Sequence, residues 1–312
     1  MERRRLANGV EVSRIILGCG NFGGIGSAPE FFGQGESDEE AFAIMDAAWE
    51  LGITTFDTAD AYGGGRSESA IGKWITSREL RPEITTKTFN PMEVGADRGL
   101  KRQRITRQLE SSLDRLGVHS VDVYLAHDFD PETPLPETLS TFEGLQELGL
   151  IKSWGVSNFG ASQLRSVFEL ALPAVVQNAY SLLQHGEEDE VLELCKHFDV
   201  SYTPHSPLGG GLLTGKYRHG DTPAAGSRLA TRPEPYAHLL REETFAKIAR
   251  FVEFATAKGL TPATLAIAWL LAQPAVTAVV VGPRRAEHLE PAVAALGCEL
   301  SPADLDEVAR IF

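Results

Sequence analysis

Four ionisable side chains follow successive apolar runs of the chain and could together move a proton. Asp57 and Tyr62 follow the second predicted strand, Lys87 ends the third, and His127 follows the fourth. A tyrosine hydroxyl titrates at about pH 10, so its use as a proton donor and acceptor near neutral pH requires a nearby cation. Lys87 could be that cation, held by Asp57, while His127 orients a carbonyl group or shares the proton with Tyr62. Together the four residues suit carbonyl reduction.

Each of these residues also has a simpler explanation when it is taken alone. Asp57 and Lys87 could form an ordinary ion pair at the rim of the domain. Tyr62 could be a turn aromatic beside three consecutive glycines, and His127 could be a hydrogen-bonded loop residue. Their joint placement at consecutive strand ends favours the catalytic interpretation.

The elements that must position these residues alternate between short apolar strands and longer helices. Continuous apolar runs such as VDVYLA and AVTAVVV are typical of strands that are covered on both faces. Eight strand–helix pairs predict a single α/β domain over residues 1–312, a (β/α)8 TIM barrel with an N-terminal hairpin. The strands are predicted at 14–17, 54–56, 84–87, 121–125, 151–156, 174–177, 200–204 and 277–281, and the helices at 38–51, 68–74, 100–116, 135–148, 161–170, 188–197, 242–258 and 286–296.

Two segments depart from the regular alternation. A long loop rich in glycine and proline, at 209–240, follows the seventh strand on the face where barrel enzymes hold their sites, and it could be a cofactor clamp or a substrate wall. An apolar helix at 261–273 is predicted to be an extra packing helix before the eighth strand.

Composition and charge argue against several classes of protein, among them proteins that bind nucleic acid or span a membrane. The formal net charge of −14 and the pI of about 5.1 argue against a surface that binds nucleic acid. No run approaches the roughly 18 apolar residues of a membrane span, and the N-terminus lacks the apolar stretch of a secretory signal, so a cytoplasmic location is expected. Three scattered cysteines, Cys19, Cys195 and Cys298, suggest neither a disulfide framework nor a metal site, and we expect them to be small buried residues.

Several segments, in the expected order, resemble the aldo-keto reductase family. They are FDTADAYGGGRSESAIGKWI, ITTKTF, the stretch from VDVYLAHDFD to GVSNF, VVQNAYSLL and SPLGGGLLTGKY, and the resemblance runs over 17–296. It implies an NAD(P)H-dependent oxidoreductase acting on an aldehyde, a ketone or a sugar-like alcohol. The family's catalytic tetrad falls on Asp57, Tyr62, Lys87 and His127, with none substituted.

The resemblance also implies where the cofactor binds. Ser157, Asn158 and Gln177 would hydrogen-bond the nicotinamide carboxamide, although Ser157 and Asn158 could equally cap a helix. The other implied cofactor-binding residues are Gly20, Asn21 and Phe22 near the first strand, Ser206, Leu208, Gly210, Lys216 and Arg228 along the pyrophosphate, and His205, Gly282, Arg284 and His288.

Two regions depart from the family pattern. His205 stands where the family usually places a tyrosine or tryptophan that stacks on the nicotinamide, and the adenosine end carries His288, Pro291 and Ala292 in place of Gln and Glu-Asn. Arg284 and Arg285 could grip a 2′-phosphate, which favours NADP over NAD, with NAD still possible. An adjacent arginine pair is also a common solvated surface feature.

The leading hypothesis is thus a reductase or dehydrogenase of small carbonyl or alcohol substrates, as a monomer or small homo-oligomer without nucleic acid, membrane or metal. A second hypothesis is a nucleotide-binding, redox-sensing regulatory subunit of the kind that family members supply to ion channels. A third, a phosphosugar isomerase on an unrelated barrel, would not explain the Ser-Asn and Gln motifs. Possible substrate-lining aromatics are Phe31, Phe32, Tyr217 and Tyr236, although Phe31 and Phe32 could equally pack their loop onto the barrel.

Overall fold

A computed structural model describes residues 1–186 and 188–312 of the chain. Within them, a two-stranded antiparallel hairpin precedes eight parallel strands. The strands are β1 (Arg3–Arg5), β2 (Glu11–Ser13), β3 (Ile15–Gly18), β4 (Thr55–Asp57), β5 (Glu83–Thr88), β6 (Val123–Ala126), β7 (Trp154–Ser157), β8 (Val175–Gln177), β9 (Ser201–Tyr202) and β10 (Val279–Val281).

The eight parallel strands close into a barrel. Neighbours pair in the order β10-β3-β4-β5-β6-β7-β8-β9. The two ends of this sheet meet through backbone bonds from the Thr277 amide to the Tyr202 carbonyl (2.8 Å) and from the Val280 amide to the Pro204 carbonyl (2.9 Å). The predicted barrel and its N-terminal hairpin are therefore confirmed.

Helices surround the barrel and alternate with its strands. The α-helices are α1 (Asp38–Glu50), α2 (Arg66–Arg78), α3 (Arg102–Leu116), α4 (Leu135–Glu147), α5 (Ala161–Phe168), α6 (Glu193–His197), α7 (Arg228–Thr231), α8 (Glu242–Ala257), α9 (Pro262–Leu271), α10 (Glu290–Ala295) and α11 (Pro302–Ile311). Of these, α1 begins with a reciprocal cap in which the Ser37 hydroxyl accepts from the Glu40 amide and the Glu40 carboxylate accepts from the Ser37 amide.

Side chains alternate between the inside and the outside of the barrel. Ile16 faces inward with Val123, Leu125, Val175 and Val280, and the hairpin residues Leu6 and Val12 pack against this inner cluster. The flanking residues Ile15 and Leu17 belong instead to the larger cluster between strands and helices. The hairpin thus covers the amino end of the barrel and leaves the carboxyl ends of the strands open.

The extra packing helix was expected at 261–273, but the structure gives that role to the helix before it. The segment predicted as an extra helix, α9, buries eight of its ten residues and contacts β10, whereas α8 buries only Ile248, Phe251 and Ala255 and packs against α9 and α11. The extra outer helix is therefore α8. Its amphipathic pattern is that of any surface helix, and sequence periodicity cannot say which layer it joins.

Other boundaries differ by a few residues from those predicted. The helix expected at 286–296 is a 3-10 turn, Ala286–Leu289, followed by α10, and the one expected at 188–197 is a π-helical turn, Glu188–Leu192, followed by α6. The sequence analysis missed α11, although Ser301 and Asp304 form a capping box there that could have revealed it. Cys19 and Cys195 are buried as expected, but Cys298 is only half-buried.

In the described part of the chain, no single helix is long and apolar enough to cross a membrane. The pair α8 and α9 passes that test only when taken together, and its axis bends by 91°.

Candidate active site

The four predicted catalytic residues meet at the open mouth of the barrel. Asp57 ends β4, Lys87 lies in β5 and His127 follows β6, while Tyr62 begins a 3-10 turn that leads into α2. The Lys87 ammonium donates to the Asp57 carboxylate at 2.5 Å and to the Thr58 carbonyl at 2.9 Å. Parallel neighbouring strands bring their carboxyl ends to the same edge, which explains why residues far apart in sequence converge here.

The Lys87–Asp57 ion pair is buried and its carboxylate is fully hydrogen-bonded. Lys87 is 1% and Asp57 3% exposed. The second oxygen of the Asp57 carboxylate accepts a hydrogen bond from Gln177 Nε2 at 2.9 Å, so both oxygens are satisfied. Burial lowers the pKa of Lys87, but Asp57 and Tyr62 raise it by more, and the lysine stays charged.

Tyr62 lies directly beside this cation. The Lys87 Nζ atom is 5.1 Å from the centre of the tyrosine ring. Burial raises the pKa of Tyr62, and the Lys87 charge lowers it in part, so that the net shift is upward. The hydroxyl is therefore protonated at neutral pH, ready to act as a donor.

His127 stands against Tyr62 on the other side. Their ring centres are 5.5 Å apart in an edge-to-face arrangement. Burial, with Lys87 and His205 nearby, holds the pKa of His127 well below its usual range, so its imidazole is neutral. Asn90 Nδ2 lies 3.4 Å from His127 Nδ1, and an amide donor there leaves the imidazole proton on Nε2. Asn90 was missed by the sequence analysis, which had no signal for it.

The three residues expected at the nicotinamide carboxamide lie next to one another at the ends of β7 and β8. Ser157 Oγ donates to the Gln177 carbonyl (2.6 Å), and Asn158 Nδ2 donates to the His127 carbonyl (2.9 Å). The alternative that Ser157 and Asn158 cap a helix is wrong, because α5 begins at Ala161 with Gly160 as its N-cap. Ser157 instead bonds the main chain at the end of β8, and Asn158 bonds the main chain of His127 after β6.

His205 is joined to the same group. Its Nε2 donates to Asn158 Oδ1 and its Nδ1 accepts from Ser206 Oγ, both at 3.1 Å. Burial and the charge of Lys87 lower the pKa of His205 to about 4. A neutral, doubly hydrogen-bonded ring thus occupies the position where the stacking aromatic was expected.

The loop after β9 has a backbone suited to phosphate. Gly210 and Gly211 adopt φ values of 68° and 89° within the 3-10 segment Gly209–Thr214, between Leu208 and the exposed Lys216. Arg228 begins α7, and its Nη1 lies 3.3 Å from Asn21 Oδ1. Positive-φ glycines expose amides at a close approach, and two cations flank them, which fits a dinucleotide pyrophosphate.

Packing limits how two residues expected at the mouth of the barrel, Gly20 and Phe22, could contact a cofactor. Gly20 lies against Tyr62, since a Cβ there would meet the tyrosine ring at 3.4 Å. Phe22 is fully buried in the core, so its side chain cannot contact a cofactor, and only its backbone remains available.

The candidate substrate aromatics pack mainly against protein. The Phe32 ring lies over Gly64, Phe31 lies 5.5 Å from the Arg232 guanidinium, and Tyr236 is buried inside the loop after β9. The loop-packing interpretation therefore fits Phe31 and Phe32 better than a pocket wall does. The Tyr217 hydroxyl is buried and has no hydrogen-bond partner among the described residues.

At the expected adenosine end, the two arginines point to different partners. Arg284 Nε donates to the Glu36 carboxylate at 2.7 Å, its Nη1 donates to the Gly226 carbonyl, and its amide donates to His288 Nδ1 at 3.2 Å. Arg285 is exposed and pairs with Glu287, while Gly282 is exposed beside them. Glu36 was missed by the sequence analysis because it lies in the long first loop, far from any recognised motif.

No group of three or more histidine, cysteine or acidic side chains that could hold a metal ion occurs in the ranges 1–186 and 188–312.

Known proteins resemble this chain over nearly its full length. A model of the Aldo/keto reductase family matches residues 14–312. An oxidoreductase of Bacillus subtilis (strain 168), YrpG, is 34% identical over 97% of this chain and 93% of its own length. The aldo-keto reductase yakc [NADP(+)] of Schizosaccharomyces pombe is 31% identical over 88% of this chain and 83% of its own.

Two further matches bear on activity and architecture. A putative voltage-gated potassium channel subunit beta of Schizosaccharomyces pombe is 34% identical over 89% of this chain and 86% of its own length. Among solved structures, the glycerol dehydrogenase AKR11B4 from Gluconobacter oxydans superposes with a TM-score of 0.84 at 25% identity, covering 99% of this chain and 94% of the other.

Proposed function

Because the chain belongs to the aldo/keto reductase family, we propose that it is an NAD(P)H-dependent oxidoreductase in which Tyr62 exchanges the proton with an aldehyde, a ketone or a sugar-like alcohol. The observation that carries this proposal is the buried Lys87–Asp57 pair directly beside the Tyr62 ring. A hydride donor alone does not complete carbonyl reduction, since the new alkoxide needs a proton.

Each residue around the substrate oxygen has a different proposed role. A bound reduced nicotinamide supplies the hydride. Tyr62 donates its proton to the substrate oxygen, and the Lys87 ammonium stabilises the phenolate that is left. Asp57 keeps Lys87 charged and in place, and the Nε2–H of His127 orients the carbonyl oxygen. The reverse sequence serves alcohol oxidation.

NADPH is the proposed cofactor, with NADH as the second choice. Lys216 and Arg228 flank the glycine segment proposed for the pyrophosphate, and Arg284 lies at the proposed adenosine end. One relative is named as an NADP(+) enzyme. Cations at these positions favour the additional 2′-phosphate.

A redox-sensing subunit with little turnover is the second candidate. The observation that favours it is the similarity to the Schizosaccharomyces pombe protein named as a putative voltage-gated potassium channel subunit beta. An intact tetrad is compatible with both functions, so turnover separates them.

The test combines nucleotide titration by calorimetry with turnover, followed at the nicotinamide absorbance band, on a panel of aldehydes, ketones and sugars. For Tyr62→Phe we expect kcat to fall at least about 100-fold, because the proton donor is removed, while the Kd for NADPH changes little. The matched control is Tyr124→Phe, which removes a buried hydroxyl that donates to the Ile105 carbonyl of α3, outside the barrel.

Three outcomes are informative. Turnover that is lost in Tyr62→Phe and kept in Tyr124→Phe supports the reductase. Loss of nucleotide binding in Tyr62→Phe contradicts the proton-donor role. Tight binding by the unaltered protein without turnover on any substrate of the panel favours the sensor.

A further inference from the structure

Glu36 joins three loops at the end of the site proposed for adenosine. It lies just before α1, and its amide donates to the Asn21 carbonyl while its own carbonyl accepts from the Gly23 amide, both at 2.9 Å. Its carboxylate reaches Arg284 in the loop after β10, and Arg284 in turn donates to Gly226 in the loop after β9. Glu36 therefore stands between Asn21, beside the proposed pyrophosphate, and Arg284, beside the proposed 2′-phosphate.

Packing on both sides holds the backbone of Glu36 in place, so that only its side chain can change position. Gly35 lies so close to the first loop that a Cβ would come within 2.0 Å of the Asn21 carbonyl oxygen. On the other side, Ser37 caps α1. These constraints hold the Cα of Glu36 in one place beneath Arg284.

The Glu36 carboxylate is buried but only half satisfied. Its side chain is 3% exposed, and Oε1 accepts from Arg284 Nε at 2.7 Å. The other oxygen, Oε2, is buried without a hydrogen-bond partner in the described residues. Burial raises the pKa of Glu36, and Arg284 opposes that rise in part. A buried acceptor without a partner costs free energy, so this carboxylate is easier to displace than one with both oxygens hydrogen-bonded.

Two of the five N–H donors of the Arg284 guanidinium are already used. Its Nε is taken by Glu36 and its Nη1 donates to Gly226. A side-on grip on a phosphate uses Nε together with Nη2. That grip requires the Glu36 carboxylate to leave, and the carboxylate would also repel a phosphate that carries nearly two negative charges.

We propose that Glu36 is a specificity-determining residue of the dinucleotide site: it competes with the 2′-phosphate of NADPH for Arg284 and so keeps the adenosine end open to NADH. This inference rests on the proposed function. NADH carries a hydroxyl in place of that phosphate and leaves the Glu36–Arg284 pair intact, whereas a side-on contact between Arg284 and the 2′-phosphate of NADPH breaks it.

The experiment measures dissociation constants by calorimetry for NADPH and NADH, and for 2′,5′-ADP and 5′-AMP, which report on the adenosine end without the nicotinamide. Glu36→Gln keeps the shape and removes the charge, so we expect the preference for NADPH over NADH to rise at least tenfold. The ratio between 2′,5′-ADP and 5′-AMP should rise in parallel. Glu36→Ala should shift both ratios in the same direction, which protects the test against a folding defect in one variant.

Two further variants isolate the cause. Glu39→Gln removes the same charge from an exposed residue in the first turn of α1, and it should leave the ratios within about twofold of the unaltered protein because surface charges are screened. Arg284→Ala should weaken NADPH far more than NADH. In the double variant Glu36→Gln/Arg284→Ala, the gain from Glu36→Gln should vanish, since the two residues compete through one contact.

An unchanged ratio in folded Glu36→Gln overturns the proposal. A shift toward NADH also overturns it, because Glu36 would then be holding Arg284 in place for the phosphate. If neither dinucleotide nor 5′-AMP binds the unaltered protein, the dinucleotide site itself is wrong and the inference falls with it. Binding with normal turnover and an unchanged ratio removes only the role of Glu36.

Discussion

At the scale of single residues, the charge of Lys87 acts on several titratable groups at once. It opposes the rise that burial imposes on the pKa of Tyr62, and it adds to the lowering of the pKa values of His127 and His205. Both imidazoles are therefore neutral near pH 7. The positive charge beside Tyr62 then belongs to Lys87, where it can stabilise a phenolate.

The low pKa of His205 predicts a loss of stability in mild acid. The folded protein holds this imidazole neutral down to about pH 4. The unfolded chain takes up a proton near pH ~6.5, so each pH unit between these values lowers the free energy of unfolding by up to about 1.4 kcal/mol. Urea unfolding at pH 7 and pH 5 should show this loss, and His205→Gln should reduce it.

The control for this prediction is His119→Gln, at an exposed histidine remote from the site. It should leave the pH dependence of the unaltered protein in place. If His205→Gln loses as much stability between the two pH values as the unaltered protein, the neutral state of His205 does not contribute.

At the scale of elements, the loop after β9 is a small packed unit. Its residues Leu212, Leu229, Tyr236 and Leu239 form a local apolar cluster with Ile248 of α8. The prediction that 209–240 is a long loop holds, but the loop contains α7 and two 3-10 segments. Such internal packing can hold Gly210, Lys216 and Arg228 in fixed relative positions, which lowers the entropy cost of binding a pyrophosphate there.

Gly210 should be the most sensitive position of this loop. Its φ is 68°, and a Cβ would come within 2.7 Å of the Tyr236 ring. Gly210→Ala introduces left-handed backbone strain and also forces the Tyr236 ring to move. We expect the displaced ring to lower the free energy of unfolding by about 1–3 kcal/mol beyond the cost of the strain. The substitution should weaken NADPH at least tenfold. Chemical denaturation and nucleotide titration check the two effects.

Gly220→Ala is the matched control, since it lies in the same loop at a φ of 83° with nothing within 4 Å of its Cβ. Gly220→Ala introduces the same left-handed backbone strain as Gly210→Ala, but its new methyl group meets no aromatic ring. Equal losses in both variants would contradict the role of the Gly210–Tyr236 contact.

At the scale of the whole molecule, Arg14 helps to close the barrel at the end opposite the site. It is 8% exposed and precedes β3. Its guanidinium donates to the carbonyls of Leu271 (2.8 Å), which ends α9, and of Val276 (2.6 Å) and Thr277, which lie between α9 and β10. One side chain thus links the first barrel strand to the segment that enters the last.

Arg14→Met should destabilise the protein by about 3 kcal/mol, because it leaves buried carbonyl oxygens without donors. Arg5→Met, in the exposed hairpin strand β1, removes only a surface ion pair with Glu11 and should cost less than about 1 kcal/mol. Urea unfolding gives both values. A loss in Arg14→Met no greater than that in Arg5→Met would show that the closure does not depend on this residue.

By itself, the sequence determined the alternation of strands and helices and, with it, the meeting of the tetrad. Apolar runs covered on both faces predict parallel strands, and residues at the carboxyl ends of consecutive parallel strands must converge. Asp57, Tyr62, Lys87 and His127 could therefore be assigned together before any coordinate was known. The glycine run at 209–211 is likewise recognisable from local chemistry alone.

Only the tertiary structure decided which polar groups satisfy one another. Arg284 meets Glu36 across 248 positions and Gln177 meets Asp57 across 120, and no periodicity in the sequence encodes such pairs. Periodicity likewise does not encode that α9 packs against the barrel while α8 lies outside it. Burial sets the strength of each contact, and burial depends on the simultaneous placement of every neighbouring element, which a linear pattern does not contain.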